Sequence, residues 1–167
     1  MRTTTTYNNY VVDNASFPKR NRPNRGVLIK ENEPTLVFVT ICTKDRKPWL
    51  ATDVIHGLLR NIWTEASYWK VGSYVIMPNH VHFFAWPGRL YADIDDWVQY
   101  WKASFTKRSQ RADWRWQRAS FHHRIRSDES AEARRVYMLE NPVRAGLVEK
   151  ESDWPYAGEL FKPGAWW

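Results

Sequence analysis

Two histidines in the stretch MPNHVHFF, residues 77–84, are the side chains whose types and spacing first suggest chemistry. The apolar residues around them predict a strand, on which residues i and i+2 project to the same face. His80 and His82 therefore stand about 6–7 Å apart at Cα, close enough to share one metal ion. On spacing alone, two polar residues on a half-exposed strand are the alternative. The same alternation puts Phe84 and Trp86 on the histidine face and Val81, Phe83 and Ala85 on the other.

A tyrosine and an asparagine near the end of the chain form the second candidate group. The stretch VYMLENPVRAGLV, residues 136–148, is typical of a helix end followed by a turn that begins at Pro142. Tyr137 and Asn141 are one helical turn apart and therefore share a face. As alternatives, Tyr137 is a half-buried core aromatic and Asn141 is the N-cap of the turn at Pro142. Asn141 can act as a ligand only if its amide oxygen is not already bonded to backbone N–H groups.

Hydrophobic periodicity predicts the elements that must position these groups. Gly72 is the predicted stop signal after the first helix. The last helix is predicted to carry Tyr137. This order predicts an α+β, ferredoxin-like (RRM-like) fold, in which an antiparallel sheet has helices packed on one face. In chain order we predict strand 36–43, helix 53–70, strand 72–77, strand 80–86, a helix from Ile94, strand 121–126 and a helix that begins at Ser127.

Length and composition suggest one domain with a nucleic-acid partner. The 167 residues suit a single core, and the 43% apolar and 26% charged content is ordinary for a globular protein. The 11 tryptophans and the net charge of +7, with a pI near 9.6, are not ordinary. Basic, aromatic-rich domains suit nucleic acids, because Lys and Arg meet phosphates and flat rings stack on bases. Tryptophans that simply fill a core are the alternative.

The positive charge is concentrated in two segments. Residues 1–30 carry six Lys and Arg against one acid and predict a flexible basic arm. Residues 97–126 carry eight Lys and Arg against one acid, interleaved with aromatic rings. For each of these cations, a solvated charge on a helix is the alternative. We predict phosphate contacts for Lys102, Lys107, Arg108, Arg111 and Arg115, and base stacking for Trp114 or Trp116.

The single cysteine and the lengths of the apolar runs bear on the cellular compartment and on membrane association. Cys42 is the single cysteine, which excludes an internal disulfide and a cysteine-based zinc site. Its place in an apolar run predicts a buried thiol in a reducing cytoplasm. No apolar run approaches the roughly 18 residues of a membrane span, and the N-terminus is polar. We therefore expect a soluble, cytoplasmic protein without a membrane partner.

Several separated motifs in a fixed order resemble the REP-associated tyrosine transposases, a group of the HUH single-tyrosine transposase superfamily. They are MPNHVHFF followed by a basic helix, RWQRASFHHRIRS, YMLENPVRAGLV and DWPYAG, and they span from about Leu36 to Ala157. The resemblance implies a transposase domain at 31–160, between the arm 1–30 and a tail 161–167. It also implies a nuclease that cuts single-stranded DNA at or beside palindromic hairpins. In that reading His80, His82 and Asn141 bind the metal and Tyr137 is the nucleophile.

The chemistry of phosphodiester cleavage also favours these groups, namely ligands for a divalent cation and a nucleophile. A divalent cation offsets the phosphate charge and orients the leaving group. Two imidazoles and an amide oxygen suit Mg²⁺ or Mn²⁺, although imidazoles also bind Zn²⁺ or Ni²⁺ readily. A tyrosine hydroxyl is a weak nucleophile that needs a nearby cation or a general base. The implied product is a 5′-phosphotyrosine with a free 3′-OH, which the same site can rejoin without ATP.

The resemblance leaves alternatives open. Many relatives in the superfamily carry Gln where this chain has Asn141, so a weaker metal site is one of them. Either His122 or His123 approaches the phosphate, or both are surface or sheet residues. A catalytically silent hairpin DNA- or RNA-binding module on the same fold is the second functional hypothesis. A structural zinc site, for which the sequence offers no fourth ligand, is the third. Both a monomer and a homodimer are open.

Overall fold

The computed structural model describes residues 35–89, 92–126 and 130–162. Three sequence predictions lie wholly or partly outside these ranges. They are the basic arm at 1–30, the helix start at Ser127 and most of the tail at 161–167. The predicted strands and helices otherwise fall on described residues.

A five-stranded antiparallel sheet organises the chain, with strand order β4-β1-β3-β2-β5. The predicted ferredoxin-like arrangement is confirmed by this order and by the helices between the strands. The last strand was not predicted, because its three residues, AGE, show no apolar alternation. The strands are β1 Val37–Cys42, β2 Trp69–Met77, β3 His80–Pro87, β4 Phe121–Arg124 and β5 Ala157–Glu159.

Side-chain caps explain where the longer helices begin. Thr52 accepts a hydrogen bond from the Ile55 backbone N–H, and Asp93 and Ser130 cap the next two helices in the same way. Among the described residues, no helix has both the length and the apolar character needed to cross a bilayer. The helices are α1 Asp53–Glu65, α2 Ile94–Ser109, α3 Ala131–Leu139 and α4 Asn141–Arg144, with 3-10 turns at Lys44–Arg46 and Glu151–Asp153.

The predicted end of the first helix near Lys70 is wrong. Helix α1 ends at Glu65, and β2 begins at Trp69. Gly72 does not stop a helix but lies inside β2, where an added Cβ would come within 2.6 Å of the Trp86 ring. The glycine is needed for close packing between neighbouring strands, and that packing is invisible in a local pattern.

One face of the sheet packs against α1 and α2 through a core of large aromatic side chains. Trp63 is fully buried and contacts Phe83 of β3 and Trp101 of α2, with ring centroids 5.4 and 5.8 Å away. Val81 and Ala85 lie in the same core, as the strand alternation predicts. Among the described residues, five tryptophans are buried in the protein interior, which was the alternative to a nucleic-acid role: Trp63, Trp69, Trp86, Trp97 and Trp101.

The opposite face of the sheet packs against α3. Met138 of α3 is fully buried in a smaller cluster that includes Phe84 and Trp86 of β3. His80 and His82 alternate with the core residues of β3 and so belong to this second face. The sheet therefore brings the histidine pair and the helix that carries Tyr137 to the same side.

Met138 should be the main anchor of α3. Its replacement, Met138→Ala, should lower the free energy of unfolding by about 2–5 kcal/mol, because a fully buried side chain leaves a cavity. Val136→Ala is the matched control on the same helix, since Val136 is 41% exposed and should cost at most about 0.5 kcal/mol. Urea unfolding of both variants measures the difference. Equal losses would show that α3 is not held through Met138.

Candidate active site

The histidine pair is fixed by strand pairing on both sides of β3. His80 lies opposite Cys42 of β1 and Met77 of β2, and His82 lies opposite Thr40 and Val75. The two imidazole rings are 4.6 Å apart at their centroids, with an angle of 76° between their planes. The structure thus brings the two predicted ligands together.

Neighbouring side chains orient both rings. The Asn79 side-chain oxygen is an acceptor only, so the His80 Nδ1 donates its proton to it over 2.6 Å and leaves Nε2 with a free lone pair. The His82 Nδ1 lies 2.8 Å from the Thr40 hydroxyl, and Phe38 stacks on the His82 ring at 5.3 Å. Outer partners of this kind fix the tautomer and angle of metal-binding histidines.

Burial keeps both imidazoles neutral. It lowers the pKa of His80 to about 4, with a further contribution from the charge of Arg46. Burial also lowers the pKa of His82 to about 3, and the charges of His80, Arg46 and Arg144 act in the same direction. Since a protonated imidazole cannot bind a metal, the pair is ready for ligation at neutral pH.

Acid should therefore destabilise the metal-free protein. In the unfolded chain each imidazole takes up a proton near its ordinary pKa of 6.5, whereas folded His80 and His82 stay neutral to about pH 4 and 3. The unfolded state binds more protons in this window, so stability falls as the pH falls below about 6.5. We expect a loss of about 2–3 kcal/mol in the free energy of unfolding between about pH 7.5 and 5.5.

Denaturant unfolding in EDTA at the two pH values measures this loss. The double variant His80→Gln/His82→Gln is the comparison, because Gln keeps a polar side chain but does not titrate. It should show little of the pH dependence. A double variant with the full pH dependence would assign the effect to other groups.

Tyr137 lies at the surface of α3 beside a cation. Its side chain is 49% exposed and belongs to neither core cluster, unlike the buried Met138 next to it. The Arg144 guanidinium lies 3.6 Å from the centre of the Tyr137 ring and donates a hydrogen bond to the Tyr137 carbonyl oxygen. Arg144 also pairs with Glu140 at 3.1 Å. The ring is therefore accessible to solvent, and the positively charged guanidinium of Arg144 lies against one of its faces.

Asn141 is buried at the first residue of α4. Its side-chain N–H donates to the Met138 carbonyl oxygen at 3.1 Å, and its side-chain oxygen accepts no hydrogen bond from a described residue. Helix α4 has Glu140 at its N-cap and no side-chain cap. The N-cap alternative for Asn141 is therefore not realised, and the amide oxygen meets the condition that a ligand role requires.

The donor set of this region suits a divalent cation. In the described part of the chain, no cluster of three or more His, Cys, Asp or Glu side chains could hold a metal, so a structural zinc site finds no support there. What the chain does offer is the neutral pair His80 and His82, together with the amide oxygen of Asn141. A mixed N/O set of this kind leaves positions open for phosphate oxygens and water, as the sequence predicted for Mg²⁺ or Mn²⁺.

Comparisons with known proteins show what the chain is similar to. No protein-family model matches the chain. A Haemophilus influenzae protein named "Putative REP-associated tyrosine transposase" is 28% identical over 140 residues, covering 73% of this chain and 78% of that protein. A REP-associated tyrosine transposase bound to a REP hairpin has a TM-score of 0.65 at 20% identity, covering 83% of this chain and 96% of that chain. The resemblance to REP-associated tyrosine transposases is confirmed.

Lys102 lies in the basic helix of the motif order shared with REP-associated tyrosine transposases, but it is buried at 6% exposure. Its ammonium donates to the carbonyl oxygens of Gln117 and Arg118, at 2.6 and 3.3 Å. The side chain thus ties the segment before β4 to α2. This placement speaks against the predicted phosphate contact for Lys102.

The other four predicted cations differ in whether a carboxylate partner neutralises the side chain. Arg108 pairs with Glu65 at 3.0 Å, and Arg111 pairs with Asp113 at 2.9 Å, so both are partly neutralised. Arg115 is exposed and donates to the Ala112 carbonyl oxygen, and Lys107 is exposed. Of the four predicted cations that are exposed, Lys107 and Arg115 lack a carboxylate partner among the described residues and remain the better candidates for phosphate contacts.

The two tryptophans predicted to stack on bases are engaged in packing. Trp114 stacks on Trp49 at 5.6 Å with an angle of 7° between the rings, and Arg111 lies over the Trp114 ring at 4.7 Å. Trp116 packs edge-on against Trp49 and Phe105. Base stacking by either ring stays a prediction that this arrangement does not favour.

The histidines of β4 separate to the two faces of the sheet. His122 pairs with Val39, a residue of the main core, and its Nδ1 lies 3.6 Å from the Asp95 carboxylate of α2. His123 pairs with Phe38, the residue that stacks on His82. Of the two, His123 is therefore on the strand face that carries the histidine pair.

Two arginines near the site were not singled out by the sequence. Arg144 stands in the quoted motif, seven residues after Tyr137, and this helical spacing was a usable signal. Arg46 offered no signal, since its position depends on the shape of a short turn. Both charges act on His82, which places them close to the imidazole pair.

Proposed function

We propose that this chain cleaves and rejoins single-stranded DNA at or beside palindromic hairpins, with Tyr137 as the nucleophile and Mg²⁺ or Mn²⁺ as cofactor. The observation that carries the proposal is the neutral pair His80 and His82 on the sheet face to which α3 delivers an exposed Tyr137. Support also comes from the relative named as a transposase and from the structural neighbour bound to a REP hairpin.

The reaction is a transfer of one phosphodiester bond. The Tyr137 hydroxyl oxygen attacks phosphorus and loses its proton to water or to a base, and the bond from phosphorus to the 3′ oxygen breaks. The 3′ oxygen takes up a proton and leaves as a free 3′-OH, while the 5′ phosphate stays on Tyr137. Attack by a 3′-OH on this phosphotyrosine reverses the steps, so no oxidant, reductant or ATP is consumed. One tyrosine holds one joint at a time.

The remaining groups bind and orient. His80, His82 and Asn141 would hold the divalent cation, which when bound supplies charge neutralisation at the phosphate. Asn79 fixes the tautomer of His80 through its side-chain oxygen. The Thr40 hydroxyl meets the His82 ring at Nδ1, on the far side of the imidazole from Nε2. His82 offers Nε2 to the cation in the tautomer in which its Nδ1 donates to the Thr40 hydroxyl.

Tyr137→Phe should abolish the covalent product. The change removes only the nucleophilic oxygen of an exposed side chain, so the fold should be kept while adduct formation falls by about 1,000-fold or more. The measurement is incubation with labelled hairpin oligonucleotides and Mn²⁺, followed by a denaturing gel and intact mass. Tyr100→Phe is the matched control, because Tyr100 is 60% exposed on α2 and outside the site.

The outcomes of this experiment separate the hypotheses. An adduct that needs Tyr137 but not Tyr100 supports the nuclease. Cleavage that survives Tyr137→Phe would move the nucleophile elsewhere, most simply to water. Tight binding without cleavage of any hairpin would favour the silent binding module.

The metal role can be measured without activity. Mn²⁺ affinity, followed by calorimetry in the absence of DNA, should fall by more than about 10-fold in His80→Gln and in His82→Gln. His56→Gln is the control, since His56 lies on α1, where its ring contacts Tyr74 rather than the histidine pair. Unchanged Mn²⁺ affinity in the two site variants would remove the histidine pair from the metal site.

A further inference from the structure

Arg46 stands in a turn that is tied to the histidine end of β3. The turn Lys44–Arg46 follows β1, whose last residue, Cys42, pairs with His80. Thr43, between strand and turn, donates two hydrogen bonds of 3.0 Å to the Asn79 carbonyl oxygen, from its backbone N–H and from its hydroxyl. These bonds place the turn beside His80.

The backbone of this turn is unusual for residues with side chains. Asp45 and Arg46 both have φ of 56°, in the left-handed region that favours glycine. The conformation is held from outside the turn, because the Lys44 N–H donates to the Arg115 carbonyl oxygen at 2.7 Å. Glycine would adopt this backbone conformation at position 46 with less strain than arginine does. The feature that arginine has and glycine lacks is the guanidinium group.

The Arg46 guanidinium is also unengaged. It is exposed and makes no hydrogen bond or ion pair with a described residue. Arg108 and Arg111 differ in this respect, since each is paired with a carboxylate. A strained position that presents a cation beside the histidine pair, with no partner among the described residues, suggests an anion as its partner.

A second guanidinium, which comes from α4, lies at the proposed nucleophile. Arg144 lies over the Tyr137 ring, and its charge acts on His82 together with that of Arg46. Its bonds to Glu140 and to the Tyr137 carbonyl oxygen fix its position on the nucleophile. The Glu140 carboxylate partly neutralises Arg144, as Glu65 does Arg108, so its contact with Tyr137 rather than a free charge is what distinguishes it. A guanidinium is planar and carries five N–H donors, which match the oxygens of a phosphate.

We propose that Arg46 and Arg144 together form a binding site for the DNA phosphate that Tyr137 attacks. The proposal rests on the proposed function, but it makes a claim of its own: the two arginines bind phosphate without any metal. Arg144 holds the phosphate at the nucleophile, and Arg46 holds it at the histidine pair. With a cation bound as well, the phosphate would be neutralised from three positions.

The test measures metal-free binding and cleavage separately. Binding of a hairpin oligonucleotide with a single-stranded 5′ flank is followed by fluorescence anisotropy in EDTA, and cleavage of the same oligonucleotide is followed in Mn²⁺. Arg46→Gly and Arg144→Gln should each weaken metal-free binding by about 5–10-fold and slow cleavage by about 100-fold. The double variant should lose about 0.7 from the slope of log affinity against log salt, the value for one single-strand phosphate contact.

Two control variants make the test sharp. Asp45→Gly relaxes the neighbouring left-handed residue but leaves Arg46 in place, so binding and cleavage should be unchanged. Arg89→Ala removes an equal charge beyond the other end of β3, where Arg89 lies over the Tyr68 ring. It should affect binding by less than about twofold. Arg46→Gly should be no less resistant to urea than the parent protein, because glycine accepts the left-handed backbone.

Each outcome decides a separate claim. If Arg46→Gly and Arg144→Gln bind the hairpin in EDTA as well as Arg89→Ala does, the arginine site is overturned, whatever Tyr137 does. If they bind more weakly than Arg89→Ala, and the parent protein cleaves the hairpin, both proposals stand. If they bind more weakly and the parent protein cleaves no hairpin, the phosphate site stands and the nuclease falls.

Discussion

The site depends on the pairing of β3 with β1 and β2 on both of its edges. This pairing fixes the backbone of His80 and His82, and the centroids of the two rings are 4.6 Å apart. The same central position buries the rings, and burial removes the water that would stabilise a protonated imidazole. Two exposed histidines at this distance would be partly protonated near neutral pH, and they would repel each other and a cation. Burial therefore gives the pair the neutral state that a metal ligand requires.

The two faces of the sheet differ in what they hold. The face covered by α1 and α2 contains the larger core, with Trp63 and Trp101 fully buried, and it fixes the strands. The face covered by α3 contains a smaller cluster around Met138. Helix α3 also leaves a cavity of about 320 Å³ against the sheet, lined in part by Phe84 and Trp86. The strands that carry the histidines are therefore held more firmly than the helix that carries Tyr137.

Local patterns in the sequence were enough for the features that depend on neighbours in the chain. Strand alternation gave the faces of β3, and Pro142 gave the end of the helix that carries Tyr137 and the turn that follows it. Features that depend on distant contacts were missed. Gly72 was read as a helix stop because its close approach to Trp86 is not local. Lys102 was read as a DNA contact because its carbonyl partners, Gln117 and Arg118, come from another element.

Net charge was the least informative signal for the same reason. The +7 of the chain suggested DNA, but it could not show that Arg108 and Arg111 are paired with carboxylates, whereas Arg46 has no such partner among the described residues. What matters at the site is where a few charges converge. Arg46 and Arg144 disfavour protonation of His82, after the larger effect of burial, and the same two charges attract phosphate. The same two charges would therefore act both on the proposed metal ligands and on the substrate of the proposed reaction.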